Sequence, residues 1–103
     1  MKKINAALAL QVLPRLGTED QEASFAVIDR VIEEIAASGL HYEVGAFETT
    51  VEGDFAELMS LLQRCLETAV VAGAKSLLSH VKIHYAPGGE LPGIDEKTAK
   101  HRH

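Results

Sequence analysis

The sequence predicts a single α+β domain: a four-stranded antiparallel sheet with two helices on one face, in the order β-α-β-β-α-β. Three observations predict it. Apolar residues recur at helical spacing in two stretches, from Phe25 to Ile35 and from Phe55 to Val70. Each stretch follows a residue suited to capping a helix and ends at a glycine, Gly39 or Gly73. Runs of strand length and strand character stand before, between and after them.

The first strand is read over Lys3–Leu13. Leu8, Leu10 and Val12 share one face, and Ala7, Ala9, Gln11 and Leu13 share the other. Both faces are mostly apolar, which places this strand centrally. Pro14 is expected to end it, with Arg15–Glu19 as the connection. Thr18, with Gln21 in capping-box position, is expected to cap a helix over Glu19–Ser38. That helix buries Phe25, Ile28, Val31, Ile32 and Ile35 and wets Asp29, Arg30, Glu33 and Glu34.

Tyr42–Gly53 reads as two short strands joined by a bend near Gly45-Ala46. Asp54, three residues before Glu57, caps the second helix, whose stripe is Phe55, Leu58, Met59, Leu62, Leu66, Ala69 and Val70. Leu77–Tyr85 alternates as the last strand. Ala86–Gly93 is loop, Ile94–Lys100 has room for one or two helical turns, and His101–His103 is expected to fray. Residues 1–103 thus form one domain, of which 86–103 are loop and partly ordered tail. Both crossovers fit the right-handed, ferredoxin-like split βαβ arrangement.

Composition excludes several functions. The net charge of −5, with no Trp and few aromatics, argues against a nucleic-acid groove or a base-stacking platform. No run approaches the ~20 apolar residues of a membrane span. Lys2-Lys3 before Ile4–Leu10 imitates a short signal peptide, but Asn5 and Gln11 interrupt the run, and a buried strand is the expectation. Cys65 is the only cysteine, which suits a reducing compartment such as the cytoplasm. Its place beside an apolar stripe makes it a small core residue rather than a nucleophile. His80 and His84 share a strand face but stand roughly 13 Å apart, too far to hold one metal together. No metal or cofactor motif stands out.

Glu48, Thr49, Thr50 and Glu52 place four hydrogen-bonding side chains within five positions of a strand. Strand alternation puts Glu48, Thr50 and Glu52 on one face and Thr49 with Val51 on the other. One reading is a polar edge strand, with Glu52 near the positive end of the second helix. The other is a ligand site, in which hydroxyls donate and accept and carboxylates receive an amine or balance a cation. Gln11, on a neighbouring strand, would add both roles.

The sequence resembles the small thiamine-binding proteins of ferredoxin-like fold. The resemblance rests on Val12-Leu13-Pro14, Ser38-Gly39-Leu40, Tyr42-Glu43-Val44-Gly45, Thr49-Thr50-Val51-Glu52-Gly53 and Val81-Lys82-Ile83. It implies a non-catalytic protein that binds thiamine or its hydroxymethylpyrimidine half and assembles as a dimer or tetramer through its sheets. The family's Thr-Thr-x-Glu stretch falls on Thr49, Thr50 and Glu52. The position before it, small or an amide in relatives, is Glu48 here. Two other readings are an oligomeric enzyme with His80, His84 or Glu52 as acid and base, and a regulatory module whose open sheet recruits a protein.

Overall fold

The computed structural model describes residues 4–17, 20–89 and 91–101. Its elements are β1 (Ala6–Arg15), α1 (Gln21–Ala37), β2 (His41–Val44), β3 (Thr49–Gly53), α2 (Phe55–Val71), β4 (Ser76–Tyr85) and α3 (Ile94–Thr98), closed by a 3₁₀ turn at Ala99–His101. The four strands pair antiparallel in the order β2-β3-β1-β4. That is the ferredoxin-like arrangement, with β1 and β3 inside and β2 and β4 at the edges.

β1 follows from its own alternation. Ala6, Leu8, Leu10 and Val12 are buried under the helices, and the residues between them are half-buried on the other side. Val27, Val31 and Ile35 descend from α1, and Leu58, Leu61, Cys65 and Ala69 from α2, to close the core on Val51. Both stripes are turned slightly from the expected ones: Val27 and Leu61, which the expected sets leave out, are buried, whereas Ile28, Ile32, Met59, Leu62 and Leu66 are only half-buried. Phe25 and Val70 are exposed, because a helix laid on a sheet covers it along one line of i, i+4 positions and its flanks stay wet.

Several boundaries differ from expectation. Pro14 lies inside β1 instead of ending it, paired with Leu77. A proline fits a strand where no ladder hydrogen bond needs its missing N–H. The cap of α1 is Asp20, whose Oδ1 accepts from the Ala23 amide at 3.1 Å. Thr18 and Glu19, like Lys3 at the expected start of β1 and Arg102 and His103 in the tail, lie outside the described residues. Gly39 ends α1 with φ of +78°, the left-handed turn at which glycine carries no Cβ penalty. At α2, Asp54 caps the Glu57 amide and Asn5 Oδ1 accepts from Phe55 N at 2.9 Å, pinning the start of β1 to the helix N-terminus. Among the described residues no helix is long and apolar enough to cross a membrane.

Candidate functional site

The sheet face away from the helices is built in cross-strand rows. Glu52, Ala7 and His84 form one row, Thr50, Ala9 and Lys82 the next, and Gln11 and His80 a third. The two alanines make a low floor between taller polar side chains. Because Ala9 is short, Lys82 reaches over it, and its Nζ lies 3.1 Å from Glu48 Oε1 and 3.4 Å from Oε2. Gln11 Oε1 lies 3.1 Å from His80 Nδ1.

Glu52 is the deepest polar group on this face, 6% exposed. Its Oε2 accepts from the Ile94 amide at 2.8 Å, and its Oε1 lies 3.8 Å from His41 Nε2. His41 in turn lies 3.6 Å from Asp95 Oδ2. Gly93 permits the approach, since a Cβ there would meet the Glu52 oxygens at 3.3 and 3.4 Å. A buried carboxylate needs such partners. Glu52 therefore anchors the C-terminal segment across the sheet, and the buried Ile94 completes the seal.

That segment makes one wall of a cleft of about 340 Å³, lined by Glu43, Gly45, Glu48, Thr50, Ile94, Lys97 and Thr98. The volume lies at the lower end of the ~300–1,000 Å³ of small-molecule sites. Carboxylates and a hydroxyl come from the β2–β3 hairpin, and an ammonium and a second hydroxyl from α3.

Of the five residues expected to form a site, Glu48 and Thr50 line this cleft and Glu52 secures its wall. Thr49 does not join them. It is 7% exposed and turned with Val51 toward the helices, as alternation requires. Gln11 lies one residue beyond the last β1–β3 pair, Leu10 with Thr49, and faces His80. β3 is an inner strand, so its polar residues do not mark an edge. Sequence reasoning missed Glu43, Lys82, Lys97, Thr98 and Ile94. Strand parity was the available signal for Glu43 and Lys82, which share the face of Thr50. Nothing local signalled where a five-residue helix would dock.

Among the described residues no group of three His, Cys, Asp or Glu side chains could hold a metal ion. Cys65 lies in the core, 1% exposed, and desolvation by burial pushes its thiol up to about 11. Glu34 adds to the rise and Arg64 opposes it.

Residues 8–102 match the family described as thiamine-binding protein. A Clostridium perfringens protein of the family UPF0045 is 39% identical over 95 residues, covering 92% of this chain and 95% of its own length. A solved domain of unknown function from Bacillus cereus is 38% identical, with a TM-score of 0.83 over 94% of this chain and 89% of that one. A Thermotoga maritima structure, assigned provisionally to thiamine biosynthesis or salvage, is 36% identical with a TM-score of 0.79, covering 94% of this chain and 98% of that one.

Proposed function

The chain belongs to the thiamine-binding protein family, and on that footing we propose that it binds thiamine, or its hydroxymethylpyrimidine half, in the open-face cleft without turning it over. One observation carries the placement: Glu43, Glu48 and the Thr50 hydroxyl converge on a single cleft whose far wall is the anchored segment 94–98. The carboxylates offset a thiazolium charge or accept from an exocyclic amine. Thr50 and Thr98 can donate to a ring nitrogen or to a hydroxymethyl group. The family description and the salvage assignment of the Thermotoga neighbour support the choice of ligand.

Binding without chemistry is the reading the side chains favour. Glu48 pairs with the exposed Lys82 ammonium and Glu52 accepts from the Ile94 amide. The protein's cysteine lies in the core with its thiol held in the protonated form. The reading needs no further cofactor, and a reducing cytoplasm suits the thiol.

Self-association through the open face belongs to the same proposal. Leu13 is half-buried there and Leu78 is 47% exposed, beside the alanine floor. Covering such area is favourable by about 25 cal/mol per Å². Light scattering at micromolar concentration is expected to give a dimer or tetramer, and a monomer would remove this part of the proposal. Titration calorimetry tests the ligand: heat is expected with thiamine or hydroxymethylpyrimidine, and none up to millimolar concentration would end the assignment.

A further inference from the structure

β4 carries no acidic residue, and on the open face Lys82 stands between His80 and His84. The acid that its ammonium meets comes from beyond β1: Nζ lies 3.1 Å and 3.4 Å from the two Glu48 oxygens. Adjacent strands lie about 4.8 Å apart, so the two side chains together cross roughly 10 Å of sheet. Ala9, between Lys82 and Thr50 in its row, is short enough to leave the path open. Gln11, in the next row, is turned to His80 and leaves it clear as well.

Little stability rests on this reach. The lysine side chain is 76% exposed, and an ion pair so open to water contributes little, because solvent screens it and a long side chain must be held still. What the reach changes is the cleft between the β2–β3 hairpin and α3. Glu43 and Glu48 supply its two carboxylates and Lys97 supplies a positive charge. With Lys82 laid on Glu48, two acids face two bases and the charges cancel. With Lys82 withdrawn, two carboxylates face one ammonium, and the walls carry a net negative charge.

We propose that Lys82 is a built-in competitor for the cleft: its ammonium holds the place of a cation on Glu48 and yields it to the positive end of an incoming ligand. The inference rests on the open-face reading of the cleft and adds what sets its charge preference. A small inorganic cation brings no more to Glu48 than Lys82 already gives, so it stays out. A cation that also packs in the cleft and hydrogen-bonds to Thr50 or Thr98 displaces the ammonium, because the pair it breaks is weak. A neutral ring leaves Lys82 where it is. Lys82 thus determines specificity without having to touch the ligand.

The test uses thiamine, its neutral hydroxymethylpyrimidine half, and trimethylphenylammonium as a cation unrelated to either. In calorimetry Lys82→Met is expected to tighten both cations by about three- to fivefold, the worth of an exposed ion pair, and to leave the neutral ring unchanged. Lys82→Arg, which keeps the charge, should not tighten them. Lys75→Met, beside Arg15 at the far end of β4, makes the same change in net charge and should have no effect at physiological salt. In ¹³C-labelled protein the Lys82 Cε resonance should move, on saturation with either cation, to its position in Glu48→Gln, where the pair is absent. Weaker or unchanged cation binding in Lys82→Met would overturn the proposal. So would an equal effect of Lys75→Met, a fixed Lys82 resonance, or no saturable binding of either cation. Trimethylphenylammonium behaving as expected while thiamine fails to bind would end the ligand assignment and leave the role of Lys82 standing. Thiamine binding that is indifferent to Lys82→Met would do the reverse.

Discussion

β1 sends Leu8, Leu10 and Val12 toward the helices and Ala7, Ala9 and Gln11 toward the uncovered side, so ten consecutive residues serve two surfaces of opposite character. Beneath the helices the side chains of β1 are apolar and buried. On the open face they are short along the middle strand and polar on both neighbours. The difference shows how a small domain separates stability from recognition. Period-two alternation lets one strand fill a core and floor a cleft, with neither task constraining the other's residues.

Emptying the core should test that separation most severely. Leu61→Ala removes a side chain that is 1% exposed, and a loss of about 2–5 kcal/mol in urea denaturation is expected. Thiamine affinity per folded molecule should stay within twofold. A tenfold loss of affinity in a variant that remains folded would mean that the two faces are mechanically coupled.

Glu52 is where the faces come closest to merging, since a group on the recognition side is as buried as the core. Glu52→Ala leaves the Ile94 amide without its acceptor, at a cost of about 1–3 kcal/mol. Hydrogen exchange should then speed up over residues 91–98 while the amides of β1 stay protected. Uniform loss of protection would show that the C-terminal segment is part of the cooperative core rather than a docked wall.

Thr49 and Thr50 sharpen the comparison to neighbouring residues. Thr50→Val is expected to weaken thiamine by ~1–3 kcal/mol in calorimetry if its hydroxyl meets the ligand. Thr49→Val, on the helix side, should leave the affinity unchanged. Equal effects would mean that the cleft is not where the ligand sits.

The same contrast explains what was legible in the sequence. Alternation on the strands and helical spacing in Phe25–Ile35 and Phe55–Val70 are local signals, and they carried the element order, the sheet and the separate faces of Thr49 and Thr50. Pro14 misled as a breaker because its tolerance depends on the pairing of β1 with β4, a long-range fact. Phe25 and Val70 misled, and Val27 and Leu61 were passed over, because apolar residues flank both sides of each stripe and their spacing does not say which flank the sheet covers. The cleft was half legible: Glu48 and Thr50 stand on one run, but Ile94, Lys97 and Thr98 arrive from more than forty residues away. That docking is decided by Glu52 and Gly93 together.

The smallest effect belongs to Cys65, which makes the core face report on itself. Its thiol is raised from 9.0 in the unfolded chain to about 11 in the fold, chiefly by desolvation. Below pH 9 both states hold the proton and its contribution to stability is complete. Between 9 and 11 the unfolded chain releases a proton that the fold retains. The native state then binds more protons, and stability falls as pH rises. Other groups titrate in this range, so the quantity to measure is the difference from Cys65→Ala. The variant should lose a constant amount of stability from packing at pH 7–8.5, and that gap should narrow toward pH 11. A thiol reagent should modify the native protein slowly at pH 8 and the urea-unfolded chain rapidly. Fast modification of the folded protein would place the thiol at the surface and remove Cys65 from the helix-covered side of the comparison.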